Sequence, residues 1–199
     1  KFQRPEILSL LEKADVTTII CEEKFEPWFE NLEHVTVIVS KSGPDFGLDW
    51  MLRDLEDNEI TDGVGTGDDS AILMFTSGTT SRSKGVAMKN YQVMNSVEAY
   101  AATLRLTQLD SSVIATPMYH VTGMICILSV MLAVGGTVYL MKKVDADRIL
   151  TCFLENNITF YHASPTVFTI LLEKRSSYPL IPSVKSFACG SGNMAPENI

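Results

Sequence analysis

Apolar and polar positions run along the chain with two periods, and the two alternate. Ile7, Leu8, Leu10 and Leu11 recur at helical spacing and predict a helix over residues 5–14, with Pro5 suited to its first turn. Residues 16–21 read as a strand, a short aromatic helix is expected over 25–29, and the β-branched run 35–40 reads as a second strand. Residues 41–67 are polar and turn-rich, with Ser42-Gly43-Pro44 and the glycines 63, 65 and 67 as breakers and room for one short helix over 49–55. The apolar run Ala71-Ile72-Leu73-Met74-Phe75 is the next strand, and 86–88 is read as a short strand beyond the loop that follows.

The second half repeats strand and helix. Asn90 is the expected N-cap of a helix to about Arg105. A strand over 113–116 ends at Pro117, and a helix over 121–134 is stopped by Gly135-Gly136. A strand over 137–141, an acid-led helix over 145–157, a strand over 158–161, a helix over 164–173 and a strand over 184–188 complete the pattern. Such alternation predicts an α/β protein with mostly parallel sheets and helices packed on their faces.

Ligands of open parallel sheets gather beyond the carboxyl ends of the strands. Three polar clusters follow predicted strands: Thr76 to Gly85, Pro117 to Gly123 and Gly190 to Glu197. The first puts six hydroxyl side chains, two glycines, Arg82 and Lys84 into ten residues. Exposed amides and hydroxyls there can donate to phosphate oxygens, and Lys84 supplies charge. The spacing is not that of a P-loop, because the lysine precedes the second glycine and no Ser or Thr follows it. A solvated turn is the ordinary reading of such a composition, and ordinary βα turn chemistry is the ordinary reading of the other two clusters. His34 and His162 read as surface and core residues respectively.

Composition narrows the classes. The 199 residues are 46 % hydrophobic, which suits a globular domain. A net charge of −8, with no basic cluster longer than Lys142-Lys143, argues against nucleic acid as a partner. Cys21, Cys126, Cys152 and Cys189 are widely spaced, so no zinc motif forms and no metal ligands are assigned; buried free thiols in a reducing cytoplasm are expected. The greasy segment 124–134 is too short for a transmembrane span.

The residue order of the first cluster closely resembles the Y-T-S-G-T-T-G-x-P-K-G stretch of the acyl-adenylate-forming enzymes, the AMP-dependent synthetases and ligases. Phe75, Thr76, Ser77, Gly78, Thr79, Thr80, Lys84 and Gly85 match, while Ser81 and Ser83 stand where the family usually has Gly and Pro. Pro117, His120 and Gly123 match the family's P-[LM]-[FY]-H-x-x-G stretch. Gly190, Pro196 and Glu197 match its G-G-A-P-L-S-x-E stretch, with Ser191, Gly192 and Asn193 at the next Gly, Ala and Pro positions. Gly135-Gly136-Thr137 resembles a further turn of the family, read as structural.

The resemblance implies ATP-dependent activation of a carboxylic acid to an acyl-adenylate, then thioester formation with coenzyme A, with magnesium as the metal. Thr76, Ser77, Gly78, Thr79, Thr80 and Lys84, with Ser191, Gly192 and Asn193, are then the nucleotide-binding residues. Lys84 and His120 are the catalytic candidates, and His120, Gly123 and Gly190 the acid-binding ones. Val121, Met124 and Ile125 either line an acyl pocket or are plain helix core; a greasy wall would suit a fatty or aryl acid. A domain that loads a carrier-protein thiol, or a non-catalytic nucleotide-binding scaffold, are the alternatives. The family's Y-G-x-T-E stretch, its ribose-binding Asp and its small C-terminal domain are not in this sequence, which has no start methionine. Residues 1–199 are therefore expected to be a central piece of the large N-terminal domain, inactive alone, from a cytoplasmic enzyme.

Overall fold

A computed structural model describes residues 3–40, 65–76 and 84–195. The helix expected over 49–55 and most of the hydroxyl-rich cluster, residues 77–83, lie outside the described residues. The chain divides into two compact units: residues 1–66 with 72–87, and residues 67–71 with 88–199.

In the first unit, helix α1 (Arg4–Lys13) begins where expected. The Glu6 carboxylate accepts the Gln3 backbone N–H at 2.6 Å, and Pro5 has no N–H to leave unpaired in the first turn. Strands β1 (Thr18–Glu22) and β2 (Thr36–Ser40) pair in parallel from Thr18↔Thr36 to Glu22↔Ser40. The aromatic segment between them, Glu23–Trp28, is a tight 3-10 turn rather than an α-helix. Pro27 inside it cannot donate an N–H, which disfavours an α-helical continuation. Strand β3 (Ser70–Thr76) pairs with β4 (Lys84–Lys89), and both outrun the sequence-based ranges. Lys84 and Gly85 thus open a strand instead of closing a loop. A Cβ on Gly85 would stand 3.1 Å from Leu73 and 3.2 Å from Phe75, so glycine lets the two strands pack here.

The second unit is built on a parallel sheet ordered β6-β5-β7-β8. Its strands are β5 (Ser111–Ile114), β6 (Thr137–Leu140), β7 (Phe160–Ala163) and β8 (Ser186–Cys189). Helix α2 (Asn90–Leu104) leads into β5, and α3 (Val130–Val134), α4 (Ala146–Glu155) and α5 (Pro165–Lys174) lie in the connections between the strands. β5 and β7 are buried at every residue, as central parallel strands covered on both faces are.

Alternation along the strands sorts their side chains between the two faces. Val113, Tyr161 and Ala163 join Ile149, Leu150, Phe153, Val167, Phe168 and Leu171 in one core under α4 and α5. Tyr161 meets Phe153 and Phe168 edge-on, with centroids 5.0 and 5.9 Å apart. The other face is covered by α2 and by the segment Thr122–Ser129. The periodicity predicts one α-helix over 121–134; instead Thr122–Ser129 is a wider π-helix that continues as α3. The Ser129 hydroxyl donates to the Met124 carbonyl five residues back at 2.9 Å, satisfying an acceptor inside this wider winding.

Smaller differences have local causes. Lys89, not Asn90, is the N-cap of α2: its backbone N–H is taken by the Gln92 side chain at 2.9 Å. Asp145 caps α4 through the Arg148 N–H, and Gly135 ends α3 at φ 73°, a left-handed value that suits glycine. β7 starts two residues later than the β-branched run suggests: Thr159 N–H donates to the Ser111 carbonyl at 3.1 Å and its carbonyl accepts from Lys185 at 2.7 Å, but the Ser111 N–H is taken by the Thr159 hydroxyl at 3.0 Å. Buried Asp110, before β5, accepts from the Thr107 amide at 2.8 Å, the Thr107 hydroxyl at 3.1 Å and the Lys185 ammonium at 3.0 Å. Among the thiols only Cys152 is buried; Cys189 is exposed and Cys21 and Cys126 are half-buried, so the expected burial holds for one of the four.

Candidate functional site

The parallel order of the second unit's sheet brings two of the three polar clusters to one edge. Residues 115–121 leave the carboxyl end of β5, and residues 190–195 leave that of β8, with β7 between the two strands. His120, Gly123, Gly190, Ser191, Gly192 and Asn193 therefore share the carboxyl edge of one sheet. Pro196 and Glu197 lie outside the described residues. Of the hydroxyl-rich cluster, Thr76 ends β3 and Lys84 begins β4, while Ser77, Gly78, Thr79 and Thr80 lie outside the described residues.

His120 is exposed and sits in a tight turn whose backbone N–H donates to the Pro117 carbonyl at 3.0 Å. Its Nδ1 accepts the Thr122 N–H at 3.3 Å, and its carbonyl accepts the Met124 N–H at 3.0 Å. An accepting Nδ1 places the proton of a neutral ring on Nε2. The ring is thus oriented by the first turn of the π-helix. Gly123 is held by a packing need: a Cβ there would stand 2.8 Å from the Pro117 carbonyl oxygen and 3.2 Å from Met118 Cα. Of the apolar residues beside His120, Ile125 is buried core, Met124 is half-buried and Val121 is exposed.

The opposite loop has its own local logic. The Gly190 N–H donates to the Ala163 carbonyl at 3.2 Å and extends the β7–β8 ladder by one bond. Ser191 follows at φ 68°, in the left-handed region. Gly192 lies against the Pro165 ring, with a Cβ position 3.6 Å from its Cγ.

One arrangement at this edge was not legible as a site. His162 of β7 is 4 % exposed and stacks on Tyr100 of α2, with centroids 5.8 Å apart and planes 17° from parallel. Burial pushes the Tyr100 phenol up to about 12, and the neighbouring Cys126 thiol adds to the shift. Burial also lowers the His162 imidazole below its ordinary value, keeping the ring neutral. The available signal was the alternation that sends Tyr161 into one core and its neighbour to the other face. A separate apolar groove of about 590 Å³ lies beside α5, lined by Phe153, Phe168, Phe187 and Met194 among others. None of the acid-site candidates named above lines it.

Comparison with known proteins fits this geometry. The model of the AMP-binding enzyme family matches residues 1–199, and the chain belongs to that family. It is similar to the oxalate–CoA ligase of Arabidopsis thaliana, 32 % identical over 169 residues, which cover 83 % of this chain and 33 % of that enzyme. A probable CoA ligase of Humulus lupulus is 24 % identical over 100 % of this chain and 35 % of its own length. The chain thus spans about a third of the length of these relatives. Among solved structures, the O-succinylbenzoate coenzyme A synthetase of Bacillus subtilis in complex with AMP superposes with a TM-score of 0.80 at 26 % identity, over 100 % of this chain and 49 % of that one. ATP-bound MatB from Rhodopseudomonas palustris superposes with a TM-score of 0.85 at 22 % identity, over 99 % and 39 % of the two chains, which speaks for the fold.

Proposed function

We propose that the chain is part of the large domain of an acid–thiol ligase that activates a carboxylic acid with ATP and passes the acyl group to coenzyme A. The observation that carries this reading is the sequence order Thr76 to Gly85, His120 and Gly190 in a chain of the AMP-binding enzyme family. The parallel sheet that gathers the last two at one edge supports it. So do relatives named for acid–CoA ligation and a solved relative named for its complex with AMP.

In the first step an acid oxygen attacks the α-phosphorus of ATP, the bond to the bridging oxygen breaks and pyrophosphate leaves. In the second, the coenzyme A sulfur attacks the acyl carbon and AMP leaves. Such transfers depend on positioning and charge neutralisation. The hydroxyls of Thr76, Ser77, Thr79 and Thr80 and the amides around Gly78 hold the β- and γ-phosphates, and Lys84 offsets the charge of the departing pyrophosphate. Ser191, Gly192 and Asn193 face the nucleotide, while His120, Gly123 and Gly190 bound the acid site. Among the described residues no group of three His, Cys, Asp or Glu side chains could hold a metal ion. Among the described residues no helix is long and apolar enough to cross a membrane, and a cytoplasmic setting accords with the free thiols. The choice of a fatty or aryl acid loses one of its three supports, because Ile125 is core.

The test is acid-dependent ATP–pyrophosphate exchange by the full-length protein over a panel of acids, beside Lys84→Ala. Exchange with one class of acid, lowered about a hundredfold or more in the variant, is expected for a lysine that neutralises charge in the transition state. A folded protein that exchanges with no acid would remove acid activation and favour a nucleotide-binding scaffold. Exchange followed by transfer to a carrier-protein thiol and not to coenzyme A would identify a loading domain.

A further inference from the structure

Along β7, Tyr161 and Ala163 enter the α4–α5 core, so His162 faces the side covered by α2 and the π-helix. Its Nε2 lies 3.1 Å from the point where a Cβ on Gly190 would stand, so the missing side chain at 190 makes room for the ring. Its Nδ1 is buried with no hydrogen-bond partner among the described residues. Just past the carboxyl end of β5, the Thr116 hydroxyl is buried and without a partner in the same way. Buried polar atoms are nearly always paired, and leaving two unpaired at the ligand edge of a parallel sheet is costly unless a ligand completes them. A neutral imidazole offers one donor and one acceptor, and a hydroxyl offers both.

We propose that His162 and Thr116 determine the substrate class, by holding a second oxygen of the acid beyond the carboxylate that reacts. The proposal rests on the acid-activating reading and narrows it. The ligand it specifies is an acid with a hydroxyl, keto or further carboxylate group on its chain, not a plain alkyl acid. Against an alkyl chain both polar atoms stay unpaired, and a site built to hydrogen-bond a substrate rejects the analogue that lacks the group far more strongly than an apolar slot rejects a missing methylene. Flat stacking on Tyr100 limits how far the ring can tilt, so the position of its nitrogens is fixed before the acid arrives.

The experiment measures kcat/KM for acid-dependent ATP–pyrophosphate exchange by the full-length protein. The acids are straight-chain alkyl acids and their hydroxy, keto and dicarboxylic counterparts of equal length. The wild-type protein is expected to prefer an oxygen-bearing acid by at least about tenfold, and His162→Leu to lower that ratio about tenfold or more, chiefly through KM. Thr116→Val is expected to lower it in the same direction. If His162→Leu does not fold, His162→Gln and Gly190→Ala replace it. The first keeps a donor and an acceptor and should retain part of the preference; the second presses a methyl on Nε2 and should reduce it. Exchange that favours alkyl acids, or a ratio unmoved by these substitutions, overturns the inference while acid activation stands. No exchange with any acid removes acid activation itself, and this inference with it.

Discussion

Replacing Gly123 with alanine tests whether the turn that carries His120 is fixed by backbone contact. The new Cβ would stand 2.8 Å from the Pro117 oxygen, 3.2 Å from Met118 Cα and 3.3 Å from the Pro117 carbonyl carbon. All three are backbone atoms, so no flexible side chain can yield. Restoring ordinary contact at 3.4 Å needs roughly 0.6 Å of movement, and overpacking of this kind costs about 1–3 kcal/mol. The 117–120 turn can move more easily than the buried start of the π-helix, because Thr122 and Gly123 are buried and His120 is exposed. That movement displaces His120, whose amide and carbonyl are tied to Pro117 and Met124. A displacement of about half an ångström in a positioned group lowers turnover on the order of tenfold. Urea denaturation and acid-dependent exchange, read side by side, provide the assay. Gly67→Ala is the control, since its Cβ would stand 3.6 Å from Tyr91 Cβ, an ordinary contact. If Gly123→Ala behaved like the control in both readouts, the contact would not be what fixes the turn.

Three further outcomes follow from the same geometry. Asp110→Ala should cost about 2–4 kcal/mol in urea denaturation, because it strips charge-assisted bonds from a buried carboxylate, whereas Lys185→Met should cost under about 1 kcal/mol, its side chain being 66 % exposed. Burial pushes the Asp110 carboxyl up, but Thr159, Lys185 and Thr107 outweigh it and hold the carboxyl below its ordinary value. Its contribution is therefore complete above the unfolded value of about 3.9 and fades as pH falls through the lower folded value, so the deficit of Asp110→Ala should shrink in acid denaturation below pH of about 3.9. Ser191→Gly should stabilise the protein by up to about 1 kcal/mol, since a serine at φ 68° bears a strain that glycine does not; a loss of stability would mean that the serine side chain earns its place in another way.

Much of the fold was legible because periodicity and turn chemistry agreed. Gly135 stops a helix in the left-handed conformation that its sequence position suggests, and Asp145 caps where acidic residues begin the next helix. The failures have physical causes. Composition cannot distinguish an α-helix from a π-helix over Thr122–Ser129, because the run is apolar nearly throughout and leaves no polar stripe from which to read the period. The sequence starts the strand ending at Ala163 too early because β-branching marks Ile158 and Thr159, while pairing is set by the neighbour strands. That shift left His162 outside the strand and hid the face it occupies. The candidate site was legible as three polar clusters in a family's order; the Tyr100–His162 stack was not, since residues 62 positions apart meet only through the packing of α2 on the sheet.

The alternation on β7 also bears on how such a protein can evolve. Tyr161 and His162 are adjacent in sequence but belong to opposite layers, one locked among Phe153 and Phe168 and the other beside the loop at Gly190. A substitution at position 162 therefore meets Tyr100 and Gly190, whereas one at position 161 meets Phe153 and Phe168. A single-residue insertion would exchange the two roles at once, so this strand can take a substitution on either face far more readily than a change in its length.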